Sequence, residues 1–79
     1  MKSEKLFDAK ALAAMAKKFR TASGRNRAEA ARELKVARPT IAQAEDRPEL
    51  GLLQVRKRII EQYSPYEVIG PVFYLKKKS

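Results

Sequence analysis

The stretch 27–46, RAEAARELKVARPTIAQAED, limits the possible folds more than any other part of the chain. Its apolar residues fall into two short blocks at helical spacing, separated by Lys35. Pro39 fits only in the first turn of the second block, where its missing N–H leaves no hydrogen bond unmade. The pattern predicts two short helices held at a steep angle by a tight turn. The inward positions are Ala30, Ala31, Leu34, Val36, Ile41 and Ala44.

Two further signals place helix starts before and within this stretch. Asp8 is positioned to cap a first helix that ends near Gly24. Asn26 has Glu29 three residues on, which is typical of a capping box at the start of a second helix. The first helix is predicted to bury the stripe Leu12, Met15, Ala16 and Phe19.

The rest of the chain changes from helical to strand-like sequence. Apolar residues at helical spacing predict a fourth helix over Glu49 to Tyr63, although Gly51 weakens its first turn. The tail from Ser64 is rich in β-branched and aromatic residues, which favour strands. Gly70-Pro71 leaves two alternatives for this tail: two short strands, or one kinked edge strand.

The charge of the chain indicates the chemistry of its partner. Lys and Arg number 18 and Asp and Glu number 9, so the net charge is +9 on 79 residues. With 44% hydrophobic residues, a folded domain is favoured over a disordered polycation. Eight cationic and two acidic side chains between Lys17 and Arg38 leave a local net charge of +6. The excess indicates a polyanion, with nucleic acid favoured over an anionic membrane surface.

The composition also excludes several classes of site. The chain has no Cys and no His, which removes disulfides, thiolate chemistry, Cys/His zinc sites and a His general base. The acidic residues form no paired or metal-spaced cluster. We therefore predict no enzyme activity, no metal and no cofactor. No apolar run is long enough for a signal peptide or a membrane span, so a cytoplasmic protein is expected.

The chain resembles the Cro/repressor-type (Xre-like) helix-turn-helix of bacterial and phage regulators. The resemblance is carried by GRNRAEAA at 24–31, LKVARPTI at 34–41 and Glu45. The resemblance covers roughly residues 12–60 and is most specific in the stretch 27–46. It implies a single, mainly α domain over 1–79: a four-helix repressor-like fold with the helix-turn-helix at 26–46. The tail at 64–79 would add a short C-terminal β-strand or hairpin.

The resemblance further implies a transcriptional regulator, a repressor in the first instance, that binds double-stranded DNA in a sequence-specific way. Such a protein would be bacterial or phage-encoded and associated with the nucleoid. The third helix would enter the major groove. An arginine there suits guanine, because its guanidinium donates to O6 and N7 together, although a solvated charge at a helix start is the alternative. The implied base-contacting residues are Arg38, Pro39, Thr40 and Gln43, and the predicted phosphate contacts are Arg25, Asn26, Arg27, Lys35 and Arg47.

The sequence departs from the usual family pattern at Arg25, Arg27 and Lys35. Lys35 stands where the family usually has glycine, and a left-handed conformation there costs a non-glycine residue about 1–2 kcal/mol. Either the turn is of another type, or Lys35 is tolerated because it gains a phosphate contact. Glu45 is predicted to be a structural acceptor, with an arginine as its candidate partner.

The tail resembles the Cro-type arrangement, in which a C-terminal strand contributes to dimerisation. A lone strand needs a partner edge, which favours a homodimer through the tail, and cover for a small core is the alternative. The predicted interface residues are Tyr66, Val68, Ile69, Val72, Phe73 and Tyr74.

Other functions remain open on the sequence alone. One is a non-specific or architectural nucleic-acid-binding protein, which the charge alone would support. A second is an antitoxin-type autoregulator, although the basic tail offers no clear toxin-binding segment. A third is a protein-interaction module built on the same scaffold.

Overall fold

The computed structural model describes residues 8–70 and 74–78. In these ranges four helices precede a two-stranded antiparallel sheet, which confirms the predicted mainly helical class and, for the tail, the two-strand alternative. No described helix is both long and apolar enough to span a membrane. The elements are α1 (Ala9–Ala22), α2 (Arg27–Leu34), α3 (Arg38–Asp46), α4 (Leu53–Tyr63), β1 (Tyr66–Ile69) and β2 (Tyr74–Lys77).

The first two helices begin where their capping residues predict. The Asp8 carboxylate accepts a hydrogen bond from the Ala11 N–H at 2.8 Å. At the start of α2, the Glu29 N–H donates to Asn26 Oδ1 at 2.8 Å and the Asn26 N–H donates to Glu29 Oε1 at 2.9 Å. This reciprocal pair is the predicted capping box. Gly24, just past α1, has a φ of 73°, which suits glycine.

The predicted start of the fourth helix at Glu49 is wrong, because α4 begins at Leu53. Pro48 and Gly51 both disfavour a helix in this segment, and the chain forms a turn instead. The Leu50 N–H donates to the Arg47 carbonyl at 3.0 Å. The third helix starts at Arg38, with Ala37 as its N-cap.

The core lies between the four helices and is closed at one end by the hairpin. Leu12 and Ala16 of α1 are buried as predicted, whereas Met15 and Phe19 pack at its margin and are only partly buried. Side chains of all four helices and of β1 contribute to this cluster. Its buried members are Leu12, Ala16, Ala30, Ala31, Leu34, Ile41, Ala44, Ile59, Ile60 and Val68.

The hairpin packs against α4 through one face of β1. Val68 is buried in the core, and the ring of Tyr66 lies 6.0 Å from the ring of Phe19 on α1. In the antiparallel register Val68 is opposite Leu75 and Ile69 is opposite Tyr74. Because residues two apart share a face of a strand, Tyr66 and Val68 attach the same side of β1 to the helices.

Candidate nucleic-acid interface

The connection between α2 and α3 is a tight turn of three residues, the first of which has a left-handed backbone. Lys35 has φ 59° and ψ 47°. Among the residues that the structure describes, it is the one residue other than glycine with a positive φ. The Val36 N–H donates to the Ala31 carbonyl at 3.0 Å, and its side chain packs against the core. The turn therefore takes the left-handed form despite the cost to a lysine, and the Lys35 side chain is exposed.

The third helix has a buried face and an exposed face. Ile41 and Ala44 are completely buried, which seats α3 on the core. Arg38 and Gln43 are exposed, as is Pro39, and Thr40 is half-buried. The N-cap residue of α3 provides no side-chain hydrogen bond to its first backbone N–H groups. The residues predicted to contact bases thus occupy the first turns of one short helix and its solvent-facing side.

The buried carboxylate of Glu45 ties α3 to both preceding helices. Its side chain has no solvent exposure. Arg20 on α1 donates from Nε to Oε2 at 2.6 Å and from Nη2 to Oε1 at 2.9 Å. Arg27 on α2 donates from Nε to Oε1 at 3.0 Å. The predicted structural role of Glu45 is confirmed, and its hydrogen bonds fix the position of α3 from the side opposite its exposed face.

A second buried arginine holds the end of α3. Arg56 on α4 is 2% exposed, and it donates from Nε to the Ala44 carbonyl and from Nη2 to the carbonyls of Arg47 and Leu50, each at 2.9 Å. Burial lowers the pKa of its guanidinium, and the charge of Glu49 opposes this shift. Arg56 therefore caps carbonyl groups at the C-terminal end of α3 and in the following turn.

The three arginines predicted to contact phosphates each pair with a carboxylate. Arg25 Nε lies 2.9 Å from Glu33 Oε2, and Arg47 pairs with Glu49. Arg27 Nη2 lies 2.9 Å from Asp46 Oδ2 and also donates to Oδ1.

These ion pairs shift the pKa values of their members. Burial opposes the charged form of Arg27, but hydrogen bonds and attraction from Glu45 and Asp46 raise its pKa overall. Hydrogen bonds from Tyr63 to Glu33, and from Arg47 to Glu49, hold the pKa of each carboxyl below its usual value.

Four other cations of the described residues, two on α1 and two at the turn and start of α3, have no such partner. In residues 8–70 and 74–78, no carboxylate lies within 4.0 Å of a basic nitrogen of Lys17, Lys18, Lys35 or Arg38. The fifth predicted phosphate contact, Asn26, uses its side-chain oxygen in the capping box. Lys35 in the turn before α3 and Arg38 at the start of α3 are therefore exposed cations.

Tyr63 at the end of α4 connects that helix to α2. Its hydroxyl donates to Glu33, which also accepts from Arg25. Burial, with the hydrogen bond to the Glu33 carboxylate, raises the pKa of Tyr63 to about 12.

The predicted interface residues of the tail divide into three groups. Val68 is buried in the core of the single chain, and Tyr66 packs on Phe19. Ile69 is half-buried, and it lies opposite Tyr74 in the strand register. Val72 and Phe73 lie outside the described residues.

The two edges of the hairpin differ in their backbone hydrogen bonds. On the outer edge of β1, the Tyr66 N–H donates to Ser64 Oγ at 3.1 Å and the Val68 N–H donates to Glu61 Oε2 at 3.0 Å. Because Val68 directs its N–H away from β2, the opposite residue, Leu75, directs its own N–H and C=O away from β1. The outward N–H groups of β1 therefore already have partners, while β2 presents backbone groups outward.

Sequence reasoning missed the structural arginines. Arg20 and Arg56 are buried, and Arg58 donates to the Leu34 carbonyl at the end of α2. Arginine is normally a surface residue, so its position in the sequence carries no signal of burial. The available hint was Glu45, which lies four residues after the buried Ile41 and so on the same face of the helix, where a carboxylate needs a cationic partner.

Within the described ranges, no group of three or more acidic side chains is arranged to hold a metal ion. Comparisons of the chain with protein-family models, with curated proteins and with solved structures found no match.

Proposed function

We propose that the protein is a sequence-specific regulator that binds double-stranded DNA through a helix-turn-helix formed by α2 and α3, in the manner of Cro/repressor-type proteins. In this proposal α3 enters the major groove. The protein acts at a promoter either by occlusion or by recruitment, and repression is the first expectation. It carries out no catalysis.

The observation that carries the proposal is the division of α3 into two faces. Ile41, Ala44 and Glu45 are buried, so the helix is held firmly on one side. Gln43 is exposed on the opposite side, and Arg38 is exposed as the first residue of the helix. Guanidinium and amide groups are the side chains best suited to hydrogen-bond base edges in the major groove. A rigidly held helix with such groups in its first turns supports readout of a sequence.

The dimensions of α3 also support this proposal. Its nine residues make about two and a half turns, and an α-helix with its side chains is about 10–12 Å across. The major groove of B-DNA is about 12 Å wide. Lys35 lies just before one end of α3 and Arg47 just after the other, so cations flank both ends of the helix where phosphates would border the groove.

We further propose a homodimer, because two copies of α3 would read two half-sites about 34 Å apart. The open edge of β2 is the better candidate for the contact, since the N–H groups on the outer edge of β1 already have partners. Pairing of two β2 strands would complete an antiparallel sheet across the two copies. The proposed contact thus uses the outward backbone groups of Leu75 and Lys77 rather than Val68.

The experiment that tests this function is selection of bound duplexes from a random pool at near-physiological salt. The proposal predicts enrichment of a palindromic sequence whose half-sites lie one helical turn apart. Enrichment of no sequence, together with strong binding to every duplex at low salt, would favour the non-specific or architectural alternative. Preferential capture of single-stranded RNA would contradict a duplex-DNA regulator.

A further inference from the structure

The acidic partners of Arg25, Arg27 and Arg47 form the basis of this inference, which rests on the proposed binding to DNA. Each arginine already holds a carboxylate: Glu33, Asp46 and Glu49 respectively. All three pairs are partly or largely solvent-exposed, so an external anion has access to them. A phosphate that binds one of these arginines must therefore compete with a carboxylate of the same chain.

The positions of two of these acids indicate that helix stability does not account for them. Asp46 is the last residue of α3, and Glu33 lies in the last turn of α2. The C-terminal end of a helix carries partial negative charge and disfavours a carboxylate. Pairing with Arg27 and Arg25 offsets that unfavourable interaction.

Arg27 shows the competition most clearly. Its Nε remains bonded to the buried carboxylate of Glu45, while its Nη2 is directed to both oxygens of Asp46. The Asp46 side chain is 48% exposed, so this second contact is the one that a phosphate can replace. Arg27 can thus stay anchored to Glu45 while its outer nitrogens exchange one anion for another.

We propose that Glu33, Asp46 and Glu49 are internal competitors of DNA phosphates, which weaken the hold of the arginine cluster on duplex DNA. An exposed ion pair is weak, so each competitor reduces affinity by only a few-fold. The three together keep a chain of net charge +9 from binding bulk DNA tightly. Because the phosphate contacts are weakened, base contacts from α3 contribute a larger share of the total free energy of binding to DNA.

The test compares Asp46→Asn with the wild-type chain on a random-sequence duplex over a series of salt concentrations. We expect about 2- to 5-fold tighter binding at low salt. We also expect the plot of log K against log salt to be steeper by up to about 0.9, the value for one additional neutralised phosphate. Glu67→Gln is the matched control: it removes one negative charge from β1, where the described arginines form no ion pair with it.

Several outcomes decide the inference. An Asp46→Asn chain that behaves like Glu67→Gln would overturn it, and so would weaker binding, because Asp46 would then be positioning Arg27 for DNA. In a chain that already carries Arg27→Gln, adding Asp46→Asn should no longer make the plot of log K against log salt steeper. Circular dichroism of each variant checks that the helices are intact.

The same experiment separates this inference from the proposed function. Because the probe has a random sequence, the salt-dependence slopes can show competition even if selection experiments find no preferred sequence. A selection without a preferred sequence would overturn only the proposal of a sequence-specific regulator. Absence of duplex binding by both the wild-type chain and Asp46→Asn at low salt would overturn the competition as well.

Discussion

The guanidinium of Arg20 on α1 and the carboxylate of Glu45 on α3 meet in a two-point contact, with Nε to Oε2 at 2.6 Å and Nη2 to Oε1 at 2.9 Å. Arg20 also donates to the Arg25 carbonyl at 2.6 Å, just before α2 begins. One side chain of α1 thereby fixes both the start of the α2–α3 pair and the end of α3. This contact is the structural basis for holding α3 in one orientation.

Replacing Glu45 by Gln should therefore destabilise the fold strongly. The substitution leaves Arg20 and Arg27 without their shared charge in a buried site, and breaking a buried pair costs about 3–5 kcal/mol. Urea unfolding followed by circular dichroism measures this free energy. Glu49→Gln, which breaks an exposed pair, should leave the midpoint nearly unchanged. Equal midpoints for Glu45→Gln and the wild type would contradict a structural role for the buried pair.

Lys35→Gly should stabilise the chain. Glycine adopts the observed φ of 59° without the penalty that a lysine incurs, and its greater freedom in the unfolded chain offsets only part of the gain. We expect a net increase of about 1 kcal/mol, or about 4–8 °C in Tm for a domain of this size.

The control for Lys35→Gly is Arg32→Gly, on the exposed side of α2, which should lower Tm because glycine disfavours a helix interior. If Lys35 also contacts a phosphate, Lys35→Gly will bind DNA less tightly while unfolding at a higher temperature. A lower Tm for Lys35→Gly would show that the lysine stabilises the turn.

The parts of this fold that follow local rules could be predicted from the sequence. The cap at Asp8, the capping box of Asn26 and Glu29, and the buried pair Ile41 and Ala44 all depend on residues a few positions apart. The start of α4 was misplaced because apolar spacing continues through Gly51, although the chain there forms a turn. Choosing between one strand and two in the tail requires knowing that β1 packs on α4, which is tertiary information.

The candidate site was only partly predictable for the same reason. The exposure of Pro39 and Gln43 follows from the helical repeat, since they lie opposite Ile41 and Ala44. Arg38 is three residues before Ile41 and is exposed because the helix begins there. The carboxylate partners of Arg25, Arg27 and Arg47 do not follow from the helical repeat. Arg27 and Asp46 are 19 positions apart and meet only because α2 and α3 fold against each other.

The hydrogen bond between Tyr63 and Glu33 predicts a dependence of stability on alkaline pH. The folded-state pKa of Tyr63 is raised from 10.0 to about 12, so the folded chain favours the protonated phenol. The stabilisation of the folded chain by the protonated Tyr63 hydroxyl is complete below pH 10 and is lost as the pH rises from 10 to about 12. Spectrophotometric titration should show a tyrosine that ionises near pH 12. Tyr63→Phe should remove that step, and its persistence in the variant would contradict the assignment.

The proposed dimer can be tested with single cysteines, because the chain has none. Leu75 and Lys77 both present backbone groups at the open edge of β2, as they lie opposite Val68 and Tyr66. A symmetric register centred on Lys76 or Lys77 would place that lysine opposite its own copy, which is unfavourable. A register centred on Leu75 avoids this.

Under mild oxidation, Leu75→Cys should therefore form a disulfide-linked dimer, because paired residues at about 5.5 Å between Cα atoms can be bridged. Lys77→Cys and Glu67→Cys should remain single chains on a non-reducing gel. Dimers formed equally by all three variants would indicate random collision. Absence of any dimer, with a monomer mass by sedimentation of the wild-type chain, would contradict the homodimer.

The proposed function makes Arg38 on α3 a reader of DNA sequence, and the effect of Arg38→Ala on two affinities tests that claim. One is for the duplex enriched by selection, and the other is for a random duplex at the same salt. We expect Arg38→Ala to weaken binding to the selected duplex by about 1–3 kcal/mol and to change random binding much less. Lys10→Ala, which removes an exposed charge near the start of α1, should leave the ratio of the two affinities unchanged. Equal losses on both duplexes with Arg38→Ala would reduce Arg38 to a phosphate contact and contradict the claim.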